Sequence, residues 1–132
     1  MNDWLWLSRA LIIAMHEDQL AEHGGGVGLR DPDLLDTALA KPQQCLAYGT
    51  PPPDLAALAA AYAHGIARLH PFIDGNKRTS LVAAETFIEL HGHQLDASDA
   101  DCVQIWLQVA SGDMDETALA AWIRTRLRPV DA

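Results

Sequence analysis

A proline break between two apolar helical patterns constrains this chain more than any other feature. Leu55, Leu58, Ala59, Tyr62, Ile66 and Leu69 recur at helical spacing, which predicts a helix running to about His70, where Pro71 denies its predecessor the helical backbone. Phe72 is then expected to drop into the core and anchor the turn. From Lys77 to about His91, Leu81, Val82, Ala83, Ala84, Phe87, Ile88 and Leu90 leave only a thin polar line through Arg78, Glu85 and Glu89. A helix apolar almost all round is a buried one. Residues 70–80 therefore form the mouth of a central helix.

That mouth reads His70-Pro71-Phe72-Ile73-Asp74-Gly75-Asn76-Lys77-Arg78-Thr79-Ser80, and it has the makings of a nucleotide phosphate site. The first N–H groups of a helix lack internal partners and carry the positive end of its dipole, so an anion belongs there. Gly75 lets a phosphate approach bare backbone, and the Asn76 amide can add a donor from the side. Lys77 supplies a point charge and Arg78 a planar fork for two phosphate oxygens. Asp74 makes sense beside a phosphate if Mg²⁺ lies between them. His70 is placed to take a proton from an incoming hydroxyl.

At these residues the chain resembles the Fic/Doc family, whose signature reads His-Pro-Phe-x-Asp/Glu-Gly-Asn-Gly-Arg-x-x-Arg. His70, Pro71, Phe72, Asp74, Gly75, Asn76 and Arg78 match; Lys77 replaces the second glycine and Leu81 the final arginine. Both departures are those of the death-on-curing (Doc) branch. The upstream run from Gly24 to Pro32, then Leu34-Leu35 and Ala38 to Pro42, is similar to that branch too. The resemblance implies ATP and Mg²⁺ as cofactors and His70 as catalytic base. It also makes His16, in the first helix, a candidate for the active-site wall. A flap that receives the target's backbone is expected between Tyr48 and Asp54.

With 132 residues and a net charge of −9, the chain is expected to form one domain that needs no disulfide. Cys45 and Cys102 have no metal-ligand spacing and read as thiols of a reducing compartment. The acidic balance, with pI about 4.8, opposes direct binding to nucleic acid. The start of the chain has no basic leader and no stretch is long enough to span a membrane, so a soluble cytoplasmic protein is expected. Arg124, Arg126 and Arg128 read first as a solvated face and second as a basic strip for an acidic partner segment.

Taken in order, Trp4-Leu5-Trp6-Leu7 reads as a short extended segment buried under the first helix. Ser8 caps a helix to about Glu22, ended by Gly24. Gly24 to Gly28 follows a helix and lacks a Gly-Lys-Ser/Thr ending, which excludes a P-loop. Asp31 and Pro32 start a second helix, closed by Pro42, with a further helical turn or two to Tyr48. Thr50-Pro51-Pro52-Pro53 is a stiff extended connector. His64, six positions before His70, does not share its face, and His91-x-His93 reads as a polar turn. Ser98 or Asp99 caps a helix with Val103, Trp106, Leu107 and Ala110 inward, closed by Gly112. Asp115 caps the last helix, where Leu119, Trp122, Ile123 and Leu127 face the core until Pro129. The fold class is all-α, about six helices around the central one.

The resemblance to the Doc branch implies, as the preferred function, a type II toxin that acts as a kinase, moving the γ-phosphate of ATP to a threonine of elongation factor Tu and blocking translation. The alternatives are a Fic-type AMP transferase and a catalytically idle interaction protein. Lys77 brings bulk into the anion hole and Leu81 removes one pyrophosphate clamp, which disfavours AMP transfer. The inhibitory pattern Ser/Thr-x-x-x-Glu-Gly/Asn of many Fic proteins has no match, since Ser111 to Glu116 carries Asp115 at the Glu position. A separate antitoxin protein is expected as partner.

Overall fold

The computed structural model describes residues 3–130. Among them are α1 (Arg9–His23), α2 (Pro32–Tyr48), α3 (Leu55–Leu69), α4 (Asn76–Leu90), β1 (His93–Leu95), α5 (Asp99–Ser111), α6 (Glu116–Arg126) and β2 (Leu127–Pro129). The fold is all-α apart from the small antiparallel ribbon of β1 and β2. The helices start where short polar residues can take an orphan N–H: Ser8 accepts from Leu11, Asp31 from Asp33 and Leu34, Asp54 from Ala57, Ser98 from Asp101 and Asp115 from Ala118.

The most enclosed helix is α3, which precedes the motif, rather than α4, which follows it. Ala56, Leu58 to Ala63 and Gly65 to Ala67 are all buried, and α3 packs against α2, α4, α5 and α6. Its alanines allow neighbours to come close without leaving voids. Gly65 carries this furthest: a Cβ there would stand 3.4 Å from the Ala38 backbone and 3.0 Å from the Lys41 side chain on α2. α4 buries Thr79, Ser80, Ala83, Ala84, Phe87 and Ile88 against α3 and α1.

Five expectations need correction. α2 does not stop at Pro42 but runs through it to Tyr48. The ring is buried, and the close seating of α2 on Gly65 offsets the lost hydrogen bond to Ala38. On α5 the inward residues are Cys102, Trp106 and Val109, whereas Val103 and Leu107 are exposed. The C-terminal helix ends at Arg126, and residues 127–129 pair with 93–95 in the register His93 to Pro129 and Leu95 to Leu127. Finally, the extended N-terminal segment lies on α3 and α4, not under α1. Trp4 and Trp6 both stack on Phe87, the Leu5 N–H donates to His91 Nε2 and the Leu7 N–H to the Tyr62 hydroxyl. The 50–53 connector is not uniformly extended either, since it bends at Thr50 and Pro51 around a cis peptide bond.

Candidate active site

α3 ends at His70, whose backbone is left-handed at φ 52 and ψ 57. It is the one non-glycine residue with positive φ among those described. Such a backbone costs an L-residue about 1–2 kcal/mol, and Pro71 already excludes the right-handed alternative. The reversal throws the exposed His70 ring off the helix end. Phe72, buried as expected, then pins the turn.

The loop closes on itself through Asn76, whose carboxamide accepts from the Phe72 N–H and donates to the Phe72 carbonyl, both at 3.0 Å. Asn76 is buried. Its side chain is therefore committed to the loop and is not the sideways phosphate donor expected from the sequence. What it offers an anion is its backbone N–H, with those of Lys77 and Arg78. These three have no acceptor among the described residues. Gly75, left-handed at φ 79, caps α4 without a side chain.

Asp74 is held by backbone, its Oδ1 accepting from the Gly75 N–H at 2.8 Å and Oδ2 from the Gly26 N–H at 3.4 Å. His70, Ile73, Asp74, Gly75, Asn76, Lys77 and Arg78 line one cavity of about 290 Å³. The arginine ion pairs of the described residues lie elsewhere, at Arg9–Asp36, Arg124–Asp54, Arg126–Asp101 and Arg128–Asp96. Lys77 and Arg78 thus keep their charges unpaired among the described residues. A second, apolar cavity of about 230 Å³ shares those two cations and is walled by Leu81, Val103, Trp106 and Leu107.

His16 is not a wall of the His70 cavity. It is buried behind the loop, where its ring stacks on Phe72 and its Nε2 meets the Asp74 carbonyl at 2.7 Å. The glycine-rich run, with no role assigned beyond excluding a P-loop, is the loop's other support. The Ile73 N–H donates to the Gly28 carbonyl, and Leu29 pairs with Phe72. A Cβ on Gly25 would stand 2.7 Å from Asp74 Oδ2 on a backbone at φ 127, so a side chain there would displace the carboxylate and strain the backbone. The sequence signal was present in four glycines among the five residues 24–28, but nothing in their spacing says what they pack against.

Other candidates fall away. His64 turns toward α6, with Nδ1 3.8 Å from Glu116; burial pushes its pKa down against the pull of that carboxylate. His91 is spent on Leu5 and on the Phe87 carbonyl. No residue between Tyr48 and Asp54 lines the His70 cavity. That segment sits at the start of α3, whose 15 residues separate it from His70 by about 22 Å; the backbone beside the motif is that of residues 25–30. The arginine strip is paired within the chain, and Arg126 also lies over Trp122, in keeping with the solvated-face reading. Among the described residues no helix is long and apolar enough to cross a membrane.

The loop that carries this histidine and the open N-terminus of α4 lies within the stretch that comparison with known proteins matches. The model of the Fic/DOC family matches residues 6–88, and the chain belongs to that family, on its Doc branch. It is 43% identical over 101 residues to Toxin Doc of Mycolicibacterium smegmatis, covering 74% of this chain and 77% of that one. It is 30% identical over 113 residues to Protein kinase doc of Escherichia phage P1, covering 86% and 88%.

Proposed function

We propose that this protein is the toxin of a toxin–antitoxin pair and a protein kinase, transferring the γ-phosphate of ATP to a threonine of elongation factor Tu in the cytoplasm. The observation that carries the reading is the single cavity in which the exposed His70 meets the open N–H groups of Asn76, Lys77 and Arg78. Relatives named Toxin Doc and Protein kinase doc support toxin and kinase. Target and residue rest on the family resemblance.

The donor set suits a polyphosphate with its metal. Three backbone N–H groups, a guanidinium and an ammonium point to an anion, and Asp74 is the single carboxylate of the cavity. Mg²⁺ commonly takes one or two carboxylates and completes its shell with phosphate oxygens and water, so Asp74 would hold it. Bound there, the ion would neutralise charge on the phosphates. His70 accepts the proton of the attacking hydroxyl, while Lys77, Arg78 and the α4 N-terminus stabilise charge on the transferred group. Leu81 faces the apolar cavity, so no second arginine grips the phosphates from that position. That favours γ-phosphate over AMP transfer. The target segment would run along the exposed backbone of Gly24 to Gly28, beside Asp74.

The test is transfer to purified elongation factor Tu from ATP labelled at either the γ or the α phosphate. Label from the γ position, lost in His70→Ala with the fold intact, is expected; label from the α position would overturn the kinase. If ATP with Mg²⁺ leaves the melting temperature unmoved, the protein does not bind nucleotide at all. Survival on coexpression with the adjacent open reading frame identifies the antitoxin.

A further inference from the structure

The ring of His70 makes no hydrogen bond among the described residues, so its direction is set by the backbone that carries it. The carbonyls of that backbone are held chiefly by one residue. Arg30 Nε donates to the His70 carbonyl at 2.7 Å and Nη2 to the Leu69 carbonyl at 2.8 Å. The Arg30 N–H donates to the Pro71 carbonyl at 2.8 Å, joined there by the Asp31 N–H at 3.1 Å. Three successive carbonyls at the exit of α3 thus converge on Arg30.

The arrangement answers a physical need. The last carbonyls of a helix have no N–H partner and carry its negative end. A left-handed histidine is unfavourable unless its surroundings over-determine it. A planar guanidinium can bridge two adjacent carbonyls at once, which an ammonium cannot do with the same geometry. Arg30 is itself fixed from the other side, because Asp31 caps α2 and Leu29 pairs with Phe72. Its side chain does not line the cavity with His70.

We propose that Arg30 is a positioning residue for His70, locking the left-handed turn that aims the imidazole at the attacking hydroxyl. The proposal rests on the reading of His70 as the base. It does not depend on which protein is the target or which phosphate is transferred.

Two measurements test it, on Arg30→Ala and on Arg30→Lys, which keeps a charge but not the fork and serves if the alanine variant does not fold. The first is structural: a crystal structure or NMR backbone assignment is expected to show His70 leaving positive φ. A His70 backbone unchanged in both variants overturns the proposal, whatever the activity. The second is kinetic: kcat at saturating ATP and target is expected to fall about 100-fold, the order a misplacement of about 1 Å costs, with ATP affinity by calorimetry unchanged. Methylguanidinium should restore rate to Arg30→Ala and none to His70→Ala. Unaltered kcat, or a loss confined to ATP affinity, would make Arg30 merely structural. Should the wild-type protein transfer no label, the enzymatic reading fails by that result, and the His70 backbone still decides the role of Arg30.

Discussion

The imidazole of His16 lies flat on the ring of Phe72, with centroids 3.8 Å apart and planes 8° from parallel. Because the Asp74 carbonyl can only accept, His16 must carry its proton on Nε2. One buried side chain therefore supports the loop twice, through the Phe72 ring and through the backbone of the proposed metal ligand. His16→Phe keeps a ring for the stack but leaves the carbonyl without its donor, and is expected to cost about 1–3 kcal/mol. His16→Ala loses the stack as well and should cost more. Urea midpoints measure both; identical midpoints for the two variants would show that the ring contact carries nothing.

Gly25→Ala places a methyl group 2.7 Å from Asp74 Oδ2 and 3.2 Å from Leu20 Cδ2, on a backbone at φ 127. Two costs combine there, a displaced carboxylate and a strained backbone, and a loss of about 1–3 kcal/mol is expected. Repeating the substitution in Asp74→Ala should remove the first cost and leave the second. Thermal unfolding of the four proteins reads the difference, and a penalty equal in both backgrounds would show that Asp74 simply moves aside.

Ser80 is a junction between three helices. Its hydroxyl donates to the Ala63 carbonyl at 2.6 Å on α3 and accepts from Trp106 Nε1 at 2.9 Å on α5. Ser80→Ala strands a buried indole N–H and should destabilise by about 1–3 kcal/mol. Combining it with Trp106→Phe, which removes the donor, is expected to cost less than the sum of the single changes. Strict additivity in denaturant titrations would refute the coupling.

Asp54 and Arg124 join the start of α3 to α6 by two hydrogen bonds of 2.7 and 2.9 Å. The Arg124 hydrogen bond holds the Asp54 carboxyl below the usual carboxylate range, helped by the Ala57 N–H and opposed by partial burial. A depressed folded value means that the stabilisation is complete above the unfolded value of about 3.9 and is lost as pH falls through the lower folded one. Side-chain exposures of 53% and 49% limit the pair to about 1 kcal/mol or less. Asp54→Asn keeps a capping oxygen and isolates the charge. Its penalty near neutral pH should fade as pH falls below the ordinary carboxylate range and shrink in high salt, and a penalty that does not change with pH would argue for the cap alone.

The motif loop was legible because its information is local. His70, Pro71, Gly75 and Phe72 each impose a backbone or burial requirement within a few residues, and the helix caps at Ser8, Asp31 and Asp115 do the same. Features set by distant partners were not legible. Pro42 reads as a stop until Gly65, 23 positions later, is known to receive α2. Val103 and Leu107 look like core, yet α5 turns Cys102 and Val109 inward because Trp106 is drawn to Ser80. The ribbon of residues 93–95 and 127–129 is too short to show alternation. Arg30 carries no signal of its own, since it acts on backbone carbonyls that any sequence would supply, and His16 was marked only by the family resemblance, which did not tell that it stacks on Phe72 behind the loop.

The tryptophans fall at the two ends of α4, a span of about 22 Å for its 15 residues. Trp4 and Trp6 rest on Phe87 near the ribbon, whereas Trp106, with Trp122 edge-on at 6.2 Å, borders the cavity that shares Lys77 and Arg78. Intrinsic emission is consequently a composite of two pairs of reporters, one sensitive to fraying of the chain's beginning and the other to whatever settles beside the cations. Replacing Trp4 and Trp6 by phenylalanine would leave an optical gauge of occupancy, built into the protein without a dye.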